Sequence, residues 1–450
     1  MSKNKKKVNL SPEKRFNRIM TIISIIFLLV LFFKFGYTPA KDMIIGNSSV
    51  QFNLSELQNT VTEPEEEKPK DITISLAVVG DIMCHDTNYK DAYNSETKTY
   101  DFSHVFTNVA DKLRNADLTI GNLETTFAGS DRGYSGYPTF NTPDELATNL
   151  KDLGFDVLST SNNHSLDKGY SGLTRTLEVL DENGISHMGT YSSEESSEEI
   201  LVKDVNGIKI AFLAYTYGTN GIPIPSGKEY CVNLIDKDKI KADLEKAKAL
   251  DVDLISVSMH WGNEYRLKST TEQENLADFL FENGADIILG SHPHVLEPME
   301  RRTITLDDGT TKDGFLIYSL GNFISGQTKQ YTNHSIILNI TLTKHAEGNI
   351  TIDDVSYTPT YVDNRGSSAD ERFKILDINQ SISAYEAGDT SISKSLYNKL
   401  TAALDATNKI LARRYINKKI ISQMLNLHIT FEGLFFIIAF PSFLIILQLI

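Results

Sequence analysis

Seven short apolar runs punctuate the chain between residues 72 and 320: ITISLAVV, DLTI, FDVLST, KIAFLAY, DLISVSM, ADIILG and FLIYSL. Their brevity and their valines and isoleucines predict buried strands covered on both faces. Helical spacing fills several of the gaps. Val105, Phe106, Val109 and Leu113 fall on one helical face, as do Leu173, Leu177 and Leu180. The second of these segments closes on Asn183-Gly184, a C-cap signal. A third, DKDKIKADLEKAKAL, opens with aspartates suited to a helix start. Strands alternating with helices predict an α/β domain, here over residues 72–365, with DDGTTKDG as a hairpin turn inside it.

The two ends have a different texture. KNKKK and EKRFNR precede an uncharged run from Ile19 to Phe33. Counted on to Tyr37, with Lys34 snorkelling, a helix here is about 28 Å long, close to a hydrocarbon core of roughly 30 Å. The basic flank predicts a cytoplasmic N-terminus. No small-x-small cleavage signal follows, so residues 1–37 read as a cytoplasmic stub and an uncleaved signal-anchor. The main domain then lies outside the cytoplasm. Residues 38–71, with TEPEEEKPK, read as a flexible linker. Residues 366–428 are polar and partly helical, with no assigned role. Residues 429–450 are hydrophobic and uncharged from Gly433 onward, about 27 Å if helical. Pro441 interrupts that run, and Arg413, Arg414, Lys418 and Lys419 would lie on the outer side if it spanned. A membrane-spanning segment and an in-plane segment are both open.

Composition narrows the classes. Of the 450 residues 40% are hydrophobic, enough for a sizeable core. A net charge of -15 without a basic stripe excludes nucleic acid as a partner. Two cysteines, Cys84 and Cys231, exclude a disulfide framework and a CxxC zinc site, although a single bridge is possible. Cys84 is read as a packing residue. No GxSxG elbow and no P-loop occurs, which argues against serine acyl transfer and P-loop nucleotide hydrolysis.

The chemistry lies just beyond the strands. Six of the seven runs are followed by a polar cluster: GDIMCHD, GNLE, SNNHSLDKG, HWGNEY, GSHPH and GNF. In α/β sheets the ligand crevice lies outside the carboxyl ends of the strands, so shared direction would bring the six together. The converging donors are Asp81, His85, Glu124, Asn163, His164, His260, His292 and His294. Each has a plain structural reading: turn, helix cap, left-handed Asn, buried His. His292 and His294 could be loop residues, a proton relay or metal ligands. In extended backbone an H-x-H step points both rings the same way. Five of the ten histidines sit beyond predicted strands, and this favours a shared site. Imidazole, carboxylate and amide suit Mn, Fe or Zn better than Ca or Mg. The donors are too many for one ion, and suit two divalent transition-metal ions about 3.5–4 Å apart bridged by a carboxylate. Trp261, Glu264 and Asn322 are the candidate substrate contacts, with packing as the alternative for Trp261.

The ordered motifs GD, GNLE, NNH, HWG, GSHPH and LGNF resemble the CapA family, linked to poly-γ-glutamate capsule biosynthesis. That family is similar to the calcineurin-like metallophosphoesterases. The resemblance covers roughly residues 73–326. It implies two mixed β-sheets flanked by helices instead of a simple parallel sheet. It implies Asp81 as first-metal carboxylate, Glu124 as bridge, Asn163 on the second metal, His164 near the leaving group, and His260, His292 and His294 completing the shells. The usual first motif is D-x-H, but Met83 stands at that histidine position, and His85 lies two residues further on. The implied function is a membrane-anchored, extracytoplasmic, metal-dependent protein acting on an anionic capsule polymer, with polymer synthase or export subunits as partners. A non-catalytic accessory subunit and a phosphodiesterase unrelated to capsule are the alternatives.

Overall fold

The computed structural model describes residues 70–305 and 309–412. The expected signal-anchor, nearly all of the linker and the hydrophobic C-terminal segment lie outside these residues. Among the described residues no helix is long and apolar enough to cross a membrane.

In chain order the strands are β1 (Ile72–Ile82), β2 (Tyr93–Asn94), β3 (Thr99–Tyr100), β4 (Leu118–Leu123), β5 (Phe155–Ser159), β6 (Ser186–Met188), β7 (Leu201–Val205) and β8 (Ile208–Thr216). They continue with β9 (Leu254–His260), β10 (Ile287–Ser291), β11 (Met299–Thr305), β12 (Thr311–Ile317), β13 (Asn322–Ile324), β14 (His334–Lys344), β15 (Ile350–Asn364) and β16 (Phe373–Asp377). Two mixed sheets hold all but the β2–β3 ribbon. The first runs β16-β15-β14-β1-β4-β5-β6, with β13 pairing the end of β1; the second runs β11-β12-β10-β9-β8-β7. The first is antiparallel from β16 to β1 and parallel from β1 to β6; the second is parallel at the centre and antiparallel at both edges. The mixed α/β architecture with helices outside two sheets follows the expectation.

Period-two alternation explains why the central strands read as continuous apolar runs. Ile210, Phe212 and Ala214 of β8 face a core between the sheets, where they meet Ile74, Leu76 and Val78 of β1. The residues between them, Ala211, Leu213 and Tyr215, pack under the helices Lys237–Lys248 and Thr271–Glu282. Ala77 and Val79 of β1 pack under the helices on the other side. Each strand is therefore covered on both faces.

The helices follow the sequence with one break. Asp236 caps the helix Lys237–Lys248 through the Lys239 amide at 2.9 Å. Gly184, at φ +64°, ends the helix Gly169–Glu182 as the C-cap signal predicts. The expected helix around residues 105–113 is two short ones, Ser103–Phe106 and Ala110–Arg114; all four apolar residues are buried nonetheless. Beyond residue 365 the first sheet gains β16, and the helix Lys394–Leu411 packs Leu400 and Ala403 against Tyr361 and Ile378. β11 and β12 pair antiparallel as a hairpin, with the TKDG half of DDGTTKDG already part of β12. Cys84 and Cys231 are separate buried thiols.

Two glycines let the strand ends close on each other. A Cβ on Gly80 would lie 1.9 Å from the Gly321 carbonyl oxygen, and one on Gly290 would lie 1.9 Å from the Tyr318 carbonyl oxygen. Only a hydrogen fits at either place, so the GD, GSHPH and LGN segments meet backbone to backbone.

Candidate metal centre

The carboxyl ends of both sheets converge. Asp81 and Glu124 come from the ends of β1 and β4, Asn163 follows β5, His260 ends β9, and His292 and His294 follow β10. Two groups of donors share one carboxylate. Asp81, Glu124 and His294 form one; Glu124, His260 and His292 form the other. Within each, ligand atoms lie no more than 4.8 Å apart.

Neutral side chains orient these donors from behind. Asn122 Nδ2 donates to Asp81 Oδ1 at 2.8 Å. His294 Nδ1 is 3.1 Å from both Asp81 Oδ2 and Asn322 Oδ1, so a proton on Nδ1 serves both acceptors. Nε2, 3.8 Å from Glu124 Oε1, then keeps its lone pair. His260 Nδ1 meets the Ser291 hydroxyl at 2.9 Å; its Nε2 lies 2.8 Å from Asn163 Oδ1 and 3.7 Å from Glu124 Oε1.

The electrostatics are one-sided. Glu124 is fully buried, and neither of its carboxylate oxygens has a hydrogen-bond partner among the described residues. Burial, and then the charges of Asp81, Glu264 and Asp167, push its carboxyl well above the ordinary range. Burial holds His260 well below its usual value and His292 down at about 3, each reinforced by neighbouring imidazoles. These rings are neutral near pH 7 and present lone pairs, and His292 Nδ1 has no partner among the described residues. A buried carboxylate without positive charge is costly. A divalent cation among two carboxylates and three imidazoles removes that cost, so the residues fit the metal that the motifs imply. Nitrogen and oxygen donors together suit a transition metal.

The H-x-H step reaches its goal by a different backbone from the one expected. His292 and His294 lie at φ +95° and +59°, not in extended conformation, with ring centroids 6.0 Å apart. Two non-glycine residues at positive φ are strained, at about 1–3 kcal/mol each.

Two expected site residues, His85 and Asn322, are placed differently from their assignment. His85 stands outside both donor groups: its Nδ1 accepts the Gly326 amide at 3.2 Å, and its ring is edge-on to Phe140. Trp261 is a buried residue whose indole donates to the Tyr318 carbonyl at 2.9 Å and stacks on Tyr318, and it also lines the cavity beside His292. Asn322 is fully buried and holds His294 from behind, with no face left for substrate. Glu264 is exposed and lines a cavity of about 630 Å³ with Tyr217, Glu272 and His292. His164 lies beside the centre but in neither group. Its Nδ1 is 2.7 Å from Asp167 Oδ2, its ring meets the edge of Phe140, and Asp167 Oδ2 also accepts the Phe140 amide at 2.6 Å.

Sequence reading missed Asn122, Asp167, Tyr217 and Asn220. Tyr217 stacks parallel to His260 and lies 4.5 Å, ring to ring, from His292; Asn220 Oδ1 accepts from Asn163 Nδ2 at 3.1 Å. Both follow KIAFLAY, the one apolar run whose trailing segment lacks a histidine or carboxylate to mark it. Asp167 was detectable as the third residue after His164.

Comparison with known proteins bears on the whole of this region. The family model described as bacterial capsule synthesis protein PGA_cap matches residues 75–327. The capsule biosynthesis protein CapA of Bacillus anthracis is 30% identical over 272 residues, covering 59% of this chain and 63% of that protein. The PGA biosynthesis protein CapA of Bacillus subtilis is 31% identical over 298 residues, 63% of this chain and 72% of that one. The alignment thus spans less than two thirds of the Bacillus anthracis protein's length. Among solved structures, a calcineurin-like phosphoesterase from Bacillus subtilis aligns at 14% identity and a TM-score of 0.37, over 75% of this chain and 98% of that one.

Proposed function

The chain belongs to the bacterial capsule synthesis protein family PGA_cap, and from that premise we propose that it serves the synthesis or export of an anionic capsule polymer of poly-γ-glutamate type. The names of the Bacillus relatives support this reading. We further propose that residues 1–37 anchor it in the cell membrane, that its main domain works outside the cytoplasm, and that it docks to polymer synthase or export subunits. The basic flank and apolar run near the N-terminus support the anchor.

The site reads best as a dinuclear, hydrolase-type metal centre. One observation carries this: Glu124, buried and without a hydrogen-bond partner, lies within reach of both donor groups. Asp81, Glu124 and His294 would hold one ion; Glu124, Asn163, His260 and His292 would hold the other. Bound there, divalent ions would polarise the scissile group and make water a stronger nucleophile at neutral pH. The chain's own residues do the rest. Asn122, Asn322 and Ser291 fix the donors' orientation and tautomers. Asp167 accepts the hydrogen bond from Nδ1–H of His164, which leaves Nε2 as the ring atom that would carry a proton to the leaving group. Phe140 walls that imidazole from solvent.

Metal analysis of the full purified chain tests the proposal. Glu124→Gln removes the shared charge while keeping the shape, and should lose both ions together and polymer production with them. Retention of the full metal complement by this variant would refute the bridging assignment.

A further inference from the structure

A polar groove of about 590 Å³ lies between the segment 325–334 and the helix Lys394–Leu411. Gln327, Lys329, Asn333, His334, Tyr361 and Lys399 are among its walls. It adjoins the Asp81–Glu124–His294 side of the centre through a chain of contacts. Asn322, which orients His294, donates to Gln327 Oε1 at 3.0 Å, and Gln327 Nε2 reaches Tyr265 Oη at 3.4 Å. The Tyr265 ring lies 6.0 Å from that of His294. The Lys329 ammonium sits 3.6 Å from the centre of the same Tyr265 ring. One exposed lysine therefore belongs both to the mouth of the centre and to the groove, and Lys399 supplies a second cation further along.

The opposite charge marks the other donor group. The cavity beside His292 carries Glu264 and Glu272 and no lysine or arginine. Asp363 is the one carboxylate in the groove; burial raises its carboxyl, while Lys399 and Arg365 act against that rise. An anionic chain engaged at the centre is repelled on the acidic side and attracted on the lysine side. Amide, hydroxyl and tyrosine groups along the groove offer hydrogen bonds to a repeating polar backbone.

We infer that this groove is a second subsite for an anionic chain, binding carboxylates several units away from the segment at the metal centre. The protein is then a reader of polymer length, with one direction for the chain to run. This inference rests on the polymer reading proposed above.

Fluorescence anisotropy on the full, metal-loaded chain in detergent tests it, with a labelled γ-linked glutamate oligomer of about ten units and a labelled γ-glutamyl dipeptide as probes. The wild-type chain should bind the oligomer about ten-fold or more tightly than the dipeptide. Replacement Lys399→Gln, in the groove and away from the mouth of the centre, should weaken oligomer binding roughly 3-fold or more and leave dipeptide binding unchanged. Lys399→Arg, which keeps the charge, should bind as wild type. Added salt should erode the wild-type preference. Equal affinity for the two probes, or an oligomer affinity unaffected by Lys399→Gln, overturns the inference while leaving the polymer reading intact. Failure of the wild-type chain to bind the oligomer at all overturns both.

Discussion

Glu297 gives the sharpest pH test of this fold. It is fully buried; Oε2 accepts a hydrogen bond from Gln273 Nε2 at 2.8 Å, and Oε1 has no partner among the described residues. Burial pushes its carboxyl up from an ordinary 4.5 to about 8, with the Gln273 hydrogen bond opposing only in part. The folded protein therefore keeps a proton that the unfolded chain releases. Stability from this group is fully present below about pH 4.5 and is lost as pH rises through about 8. At about 1.4 kcal/mol per pH unit across that window, the loss is on the order of 4–5 kcal/mol. Glu297→Gln keeps an acceptor for Gln273 and cannot ionise, so it lacks the loss. The two proteins should be close in stability near pH 5, and the variant should be the more stable by several kcal/mol near pH 9. Urea unfolding of the metal-stripped full chain measures this. Trp261, the only tryptophan and a buried one, is the fluorescent reporter. The difference between the two proteins cancels groups that titrate alike in both. A difference that stays flat from pH 5 to pH 9 would refute the reasoning.

Three further outcomes are expected. Changing His292 and His294 together to Ala should lower bound metal and abolish the rise in melting temperature on adding metal, a rise worth about 2.7 kcal/mol at a hundredfold excess over Kd; calorimetry with and without chelator reads it. His164→Ala should keep the metal yet cut turnover by about 10²–10⁴-fold, whereas Asn163→Ala should weaken the second ion; normal polymer yield from a His164→Ala strain would favour the accessory-subunit reading instead. Protease added to intact protoplasts should digest the 38–412 region, and survival until the membrane is broken would refute the outward topology.

The central strands were legible because both of their faces are covered. All seven apolar runs correspond to β1, β4, β5, β8, β9, β10 and β12 or their immediate ends. The edge of the first sheet was harder to see. β15 mixes Asp353, Asp354, Ser356 and Thr358 with its apolar residues because much of it is only half-covered, and β16 is five residues long. The donors that meet were legible because each follows a strand. Their supports were not. Asn122 stands beside a glycine in a motif whose glutamate drew attention, Asn322 was read as a substrate contact, and the supporting role of each depends on side-chain contacts across 41 and 28 residues of chain. Trp261 packs in the helix-covered core and also lines the cavity beside His292, so its place next to a ligand could not by itself separate packing from contact.

The division of donors between the sheets also orders events in time. The first sheet contributes Asp81, Glu124 and Asn163; the second contributes His260, His292 and His294. Asp81 and His294 touch across 213 residues, a closure whose entropy is met only when the second sheet docks on the first. A chain synthesised from its N-terminus thus presents its carboxylates long before its imidazoles. Until the His-Pro-His turn has formed, each donor group lacks one of its imidazoles. An ion held there as proposed would then be chosen late in maturation, by the surroundings in which folding finishes.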